Sequence, residues 1–279
     1  MDIRETGSGI AVTGVGDFDL PRIFECGQCF RWNADENGVY TGVAFGSAAR
    51  IEKLGDDILI SCTREEFESI WCGYFDLDLD YAAIRRSLCI NDYMRTASDF
   101  GAGIRILRQD PWEALCSFII SQCNNIPRIK KIIETLCGLY GGRFSALNRE
   151  FCAFPDAETL SSLSPDDLAP LRCGYRAPYI ISAARAVSEG RIDLEALSKG
   201  DPETALKTLK SLNGVGDKVA NCAVLFGLHM LDAFPVDVWM KKAIRNHCGP
   251  DFDPSVFSPY AGIAQQYMFY YERSGASAK

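Results

Sequence analysis

The period of the hydrophobic pattern changes part-way along the chain. Up to about residue 90, apolar runs are short and lie between turn formers: Phe30-Arg31-Trp32, Val39–Phe45 and Ile58–Ser61 are separated by Glu36-Asn37-Gly38 and Leu54-Gly55-Asp56-Asp57. This layout predicts an antiparallel sheet. Thr63 followed by Glu65 and Glu66 predicts a capped helix start, and the acid-rich Phe75–Asp80 leads into a second helix from about Tyr81. From Asp110-Pro111 onward the spacing is helical, with Trp112, Leu115, Ile119 and Ile120 on one face and Ile129, Ile132, Ile133 and Leu136 on another. Further helices are expected over 157–162, 165–173, 177–189, 202–212, 217–229, 237–247 and 258–271. Two of them follow the polar cap and first-turn proline of Ser164-Pro165-Asp166-Asp167 and Asp201-Pro202-Glu203. The fold class is therefore α+β: an antiparallel sheet domain with flanking helices over 1–102, then an all-helical domain over 103–279. The closing Ser274–Lys279, small and polar, is expected to fray.

Composition narrows the class further. No apolar run approaches the ~18 residues that span a bilayer, so no membrane is expected. The acidic start Met1–Thr6 lacks the layout of a signal peptide, which places the chain inside the cell, in the cytoplasm or nucleoid if the source is bacterial. Twelve cysteines spread from Cys26 to Cys248 without an export signal are expected to be reduced thiols. Cys26 and Cys29 form the only close pair and His229 and His247 are the only histidines, so neither a zinc site nor an iron–sulfur centre is expected. The net charge of −8 argues against a polyanionic partner, but it is unevenly spread: residues 1–102 carry −9 and residues 103–279 carry +1. Two locally basic stretches, 103–149 and 205–249, permit phosphate binding if they meet on one surface.

The chemistry concentrates in Leu212-Asn213-Gly214-Val215-Gly216-Asp217-Lys218-Val219-Ala220, which predicts a helix end, a tight turn and a new helix from about Asp217. Gly214 and Gly216 let backbone N–H groups face outward at a helix N-terminus, a geometry that holds a phosphate, and equally one that makes a plain helical corner. Lys218 sits in the first turn of an otherwise apolar helix. A helix start disfavours a cation and so favours the neutral, nucleophilic amine, the alternative being a lysine that snorkels to solvent. Cys222, four residues on, shares its face. Nineteen residues after Lys218, Asp237 in Pro235-Val236-Asp237 is placed either to cap the next helix or to face the lysine across a cleft.

The hairpin with its lysine and the Pro-Val-Asp motif resemble the helix-hairpin-helix DNA glycosylases, in particular the 8-oxoguanine DNA glycosylase/lyase branch. The resemblance runs from about Gly27 to Phe269. It includes Gly27-Gln28-Cys29-Phe30-Arg31-Trp32, Tyr74-Phe75, Arg108-Gln109-Asp110-Pro111, Phe118–Ile126, Gly174-Tyr175-Arg176-Ala177, Gln265 and Phe269. It implies a TATA-binding-protein-like sheet domain followed by the helix-hairpin-helix domain, acting as a monomer on double-stranded DNA that contains 8-oxoguanine opposite cytosine. The implied reaction is base flipping, attack of Lys218 on C1′ with loss of the base, and β-elimination through a Schiff base, with Asp237 stabilising the sugar cation.

The same resemblance implies that the Gly27 carbonyl accepts from the N7–H that 8-oxoguanine has and guanine lacks. Phe269 and Cys222 sandwich the base, and Gln265 meets its Watson–Crick edge. Arg128 and Arg176 bind the orphan cytosine, Tyr175 wedges into the stack, and Cys123, Asn124, Asn125, Gly214, Gly216 and Trp239 line the DNA. No cofactor is required, but the backbone carbonyls of Lys210, Leu212 and Val215 hold a structural cation, monovalent or divalent. Three positions depart from the family pattern. Cys123 stands where an asparagine fills the gap left by the flipped base, which opens the question of opposite-base strictness. Trp239 stands for a histidine that contacts phosphate, and Asn221 for an acid. Other activities compatible with the superfamily or the hairpin are a hydrolytic alkylpurine glycosylase using Asp237 and water, and a non-catalytic DNA-binding module.

Overall fold

Strand register puts a row of large apolar residues on one face of the N-terminal sheet. Ile10 opposes Ile60, Ile60 opposes Ile51 and Ile51 opposes Tyr40, each of them almost fully buried. In the computed structural model, which describes residues 1–276, the sheet is built from β1 (Asp2–Thr6), β2 (Gly9–Thr13), β3 (Trp32–Ala34), β4 (Tyr40–Ala44), β5 (Ser47–Leu54) and β6 (Asp57–Ile60). Residues 277–279, the end of the stretch expected to fray, lie outside the described residues. The strand order is β1-β2-β6-β5-β4-β3, and every neighbouring pair is antiparallel. The helix Leu20–Glu25 covers the apolar face and stacks Phe24 on Trp32 at 4.4 Å. Trp32 also donates from Nε1 to the Tyr74 hydroxyl at 2.7 Å, which joins the sheet to the capped segment that begins at Thr63.

A second core is helical. The helix Pro111–Ser121 is buried from Ala114 to Ile120 and runs through its centre. Around it lie Ile126–Tyr140, Ala177–Ser188, Pro202–Lys210, Asp217–Phe226, Val238–Ala243 and Ala261–Arg273. The face expected of the second of these, Ile129, Ile132, Ile133 and Leu136, is buried. The helices Tyr81–Leu88 and Asp92–Phe100 deliver Tyr81, Ile84, Leu88 and Met94 to this core and not to the sheet.

The structure overturns three of the sequence-based expectations for the helical domain. A hairpin, β7 (Arg143–Ala146) paired with β8 (Arg149–Cys152), interrupts the helical domain; Leu147 and Asn148 take left-handed φ at its turn, and Phe144 stacks on Phe151 at 5.8 Å. The stretch 165–173 is turn and a short 3-10 segment, Ala169–Leu171, because Pro170 offers no N–H and Arg172 turns left-handed. The helix expected over 237–247 is α-helical only to Ala243 and finishes as a wider turn, Ile244–Cys248.

The two cores meet along residues 104–109. The Gln28 side chain accepts from Leu107 N at 2.9 Å and donates to the carbonyls of Ile23 and Arg105 at 2.9 and 2.7 Å. Nearby, the buried Asp76 accepts from Arg108 and from the Tyr81 hydroxyl, with His229 Nε2 at 3.4 Å. Burial pushes the Asp76 carboxyl up, but its neighbours His229, Tyr81 and Arg108 together outweigh it and hold the group below its ordinary range. His229 follows the helix Asp217–Phe226, so this junction ties the sheet domain to the element that carries Lys218. All twelve cysteines are free, and among the described residues no helix is long and apolar enough to cross a membrane.

Candidate active site

The hairpin forms as its glycines require. Gly214 has φ +78°, and a Cβ there would lie 2.2 Å from the Tyr179 ring, so the turn closes against an aromatic ring that only glycine admits. Gly216 is extended and caps the helix Asp217–Phe226 with no side chain, which leaves the first-turn N–H groups facing outward. Lys210 pairs with Asp217 across the turn. Leu212 O accepts from Val215 N at 3.1 Å, while no donor among the described residues is paired with the carbonyls of Lys210 or Val215.

Lys218 is partly buried. Its Nζ donates to Ser121 Oγ at 3.1 Å and lies 5.1 Å from the centre of the Phe118 ring. One helical turn on, Cys222 is buried; burial pushes its thiol up, with Lys218 acting in the opposite direction and Asp237 adding to the rise. Asp237 caps its helix: Oδ1 accepts from the N–H groups of Trp239 and Met240, both at 2.9 Å, and its other oxygen takes no part in the cap. Lys218, Cys222 and Asp237 line one cavity of about 50 Å³.

The opposite wall comes from distant sequence. Gly27, with φ +91°, reaches the cavity from the loop after the helix Leu20–Glu25. The helix Ala261–Arg273 supplies Gln265 and the partly exposed Phe269. Gln265 is 4% exposed and its Oε1 has no hydrogen-bond partner among the described residues. A buried acceptor left unpaired beside an amine and a carboxylate is costly unless something else supplies the donor. The structure thus brings together all six residues expected at the base pocket: Gly27, Lys218, Cys222, Asp237, Gln265 and Phe269.

The residues expected along the DNA are also accounted for. Cys123 is exposed and left-handed (φ +46°), and its thiol is the first cause that pushes the Tyr175 phenol up. Tyr175 is 51% exposed beneath the Arg176 guanidinium, 4.4 Å away. Arg176 itself is buried and donates to the carbonyls of Gln122, Cys123 and Cys173. Arg128 is exposed and donates to Arg172 O at 3.0 Å. Asn124 donates to Ile120 O, and Asn125 caps the helix Ile126–Tyr140 through Arg128 N. Trp239 is partly exposed, with Lys242 Nζ 5.7 Å from its ring centre. Asn221 donates to Asp217 O at 2.9 Å within the lysine's own helix.

Two contributors escaped the sequence reading. Ser121 closes the helix Pro111–Ser121 and is the acceptor for Lys218; it sits in the Phe118–Ile126 motif, which was its one available signal. Gln266, beside Gln265, donates to Cys26 O at 3.1 Å, and nothing in its local sequence distinguishes it.

The chain is similar to known proteins over nearly its whole length. Residues 11–115 match the model of the 8-oxoguanine DNA glycosylase N-terminal domain, and residues 116–255 that of the HhH-GPD superfamily base excision DNA repair protein. The chain is 30% identical to the N-glycosylase/DNA lyase OGG1 of Arabidopsis thaliana, over 91% of this chain and 77% of the relative. It superposes on MBOgg1 in complex with a low-affinity DNA ligand at a TM-score of 0.93, with 40% identity and 99% of both chains covered. The 8-oxoguanine glycosylase/lyase of Clostridium acetobutylicum, in complex with double-stranded DNA containing cytosine opposite 8-oxoguanine, superposes at 0.92, with 37% identity and 99% of both chains covered.

Proposed function

Since the chain belongs to the HhH-GPD superfamily of base excision DNA repair proteins, we propose that it excises 8-oxoguanine opposite cytosine from duplex DNA, using Lys218 as nucleophile, and then nicks the strand as an AP lyase. The observation that carries this reading is the shared cavity. An amine, a carboxylate and an unpaired buried amide oxygen converge there with the loop glycine that bears the discriminating carbonyl. Gln265 Oε1 is an acceptor for the N1–H of a purine whose 6-position is a carbonyl. The cavity, at about 50 Å³, is smaller than the roughly 300 Å³ at which typical ligand pockets begin, so an everted base enters by displacing the edge that the partly exposed Phe269 forms.

In the reaction, the neutral Lys218 amine donates its lone pair to C1′ of the flipped nucleotide, and the C1′–N9 bond breaks with its electrons leaving on the base, which takes up a proton. The Asp237 carboxylate stabilises the positive charge that develops on the sugar. The C1′–O4′ bond then breaks with its electrons leaving on O4′, which takes up the remaining Nζ proton, and a C1′–Nζ Schiff base is left. Loss of a C2′ proton then expels the 3′ phosphate. Water alone, as in a hydrolytic alkylpurine enzyme, would require no amine in this cavity, and a simple binding module would require neither the amine nor the pocket.

On the other strand, Arg128 and Arg176 are the donors for the orphan cytosine, with Tyr175 as the wedge and Cys123, Asn124 and Asn125 beside it. Arg176 reaches the base by exchanging its present carbonyl partners. Gly214, Gly216 and Trp239 lie along the lesion strand. The carbonyls of Lys210 and Val215, with that of Leu212, suit a structural cation, since two of the three have no donor among the described residues. Such an ion would link the hairpin to a phosphate. The protein acts in this reading as a monomer on double-stranded DNA.

The test is covalent trapping. Borohydride should reduce the Schiff base and join the protein to a duplex carrying 8-oxoguanine, and Lys218→Gln should abolish the adduct. An adduct that persists in Lys218→Gln would overturn the assignment.

A further inference from the structure

Across Ile23–Gln28, the stretch that carries Gly27, every carbonyl but one has a donor among the described residues. Ile23 O accepts from Gln28 Nε2 at 2.9 Å, and Phe24 O is met by the Cys29 thiol at 3.9 Å. Glu25 O accepts from Arg273, Cys26 O from Gln266 Nε2 at 3.1 Å, and Gln28 O from Gln109 Nε2 at 2.8 Å. Among the described residues no donor is paired with the carbonyl of Gly27, and Gly27 is one of the residues that line the cavity. The donors on either side come from separate elements: Gln266 from the helix Ala261–Arg273, and Gln109 from the segment between the two cores. Both amides are buried, Gln266 at 2% and Gln109 at 8% exposure.

We propose that Gln266 is a positioning residue for lesion discrimination, with Gln109 as its counterpart on the other flank. Together they hold the Gly27 carbonyl where it meets the atom at purine N7. This rests on the reading of the site as an 8-oxoguanine pocket. A carbonyl accepts an N7–H and repels an N7 lone pair, but it separates the two bases only if it stays in place. A free carbonyl rotates away from guanine's lone pair and relieves the repulsion, and its bond to the oxidised base loosens with it. Fixing the peptides on either side removes that freedom. Gln265 and Gln266 thus divide the work on adjacent positions of one helix. The first offers its unpaired oxygen to the ligand, and the second spends its N–H on the loop.

The test compares wild type with Gln266→Met and Gln109→Met, each of which removes the amide donor. The measurements are kcat/KM for release of 8-oxoguanine and of guanine from matched duplexes opposite cytosine, cleavage of a duplex with a preformed abasic site, and melting temperature. Loss of one buried hydrogen bond should lower the 8-oxoguanine-to-guanine ratio about tenfold, while abasic cleavage, which involves no base reading, stays within about twofold of wild type. If the ratio holds in both variants, or if base release and abasic cleavage fall together with stability, the tethers are merely structural and the proposal is wrong. A wild-type protein that cleaves abasic DNA but releases no 8-oxoguanine would overturn the substrate reading itself, and this proposal with it.

Discussion

Ser121 Oγ accepts a hydrogen bond from Lys218 Nζ at 3.1 Å while donating its own hydrogen to Phe118 O at 2.8 Å. The second bond fixes the hydroxyl so that a lone pair faces the amine, and the lysine is aimed by a residue ninety-seven positions earlier in the chain. Ser121→Ala should therefore slow single-turnover base release about tenfold with little change in KM. An unchanged rate would show that the hydroxyl serves only to cap its own helix.

Asp237 caps its helix and, in the proposed reaction, also stabilises the sugar cation, two roles that substitution can separate. Asparagine retains a side-chain oxygen for the N–H groups of Trp239 and Met240, so Asp237→Asn should cost only a few tenths of a kcal/mol in stability, whereas Asp237→Ala should cost about 1 kcal/mol. Both should lower excision, by about a hundredfold or more if the charge stabilises the sugar cation. Thermal melts alongside excision rates check this, and a fully active Asp237→Asn would exclude the carboxylate from the chemistry.

Glu113 introduces a pH dependence of stability. Burial pushes its carboxyl up to about 7, opposed by Arg31 and reinforced by Asp110. In the window between its ordinary value of 4.5 and about 7 the folded state holds a proton that the unfolded state has lost, so stability falls as pH rises through that range. The full effect, roughly 3 kcal/mol at most, is reached above the upper value. Denaturant melts of wild type and Glu113→Gln should converge near pH 4 and diverge by pH 8, with the variant the more stable. Parallel curves would contradict the assignment.

The two hairpin glycines should respond differently to alanine. Gly214→Ala forces a Cβ into the Tyr179 ring at left-handed φ, which should cost about 1–2 kcal/mol from the backbone alone. At Gly216 the space is open and φ is negative, so Gly216→Ala should leave the melting temperature nearly unchanged and weaken binding to undamaged duplex. If Gly216→Ala binds DNA as tightly as wild type, the outward N–H groups are not the phosphate site.

Local rules made the helical core readable. Apolar period located Pro111–Ser121 and Ile126–Tyr140, and Asp201 caps its helix through Thr204 N as its sequence context suggests. The hairpin Arg143–Cys152 was hidden because its strands are only four residues each and none of their residues is fully buried, so the alternation in Arg143–Ala146 is too brief to stand out; Phe144 stacked on Phe151 holds the pair. At the site, Lys218 and Asp237 could be read because each marks a helix start. The carbonyl partners of Arg176, the acceptor for Lys218 and the tethers at Gly27 could not, since they join residues tens to hundreds of positions apart.

The bond from Gln266 to Cys26 spans 240 positions, and Arg273 reaches Glu25 across 248. On the proposed function, a nascent chain therefore carries its amine before it has a finished cavity to aim it with. Reactive amine and selective mouth become one device only when a helix made late in synthesis returns to a loop made early.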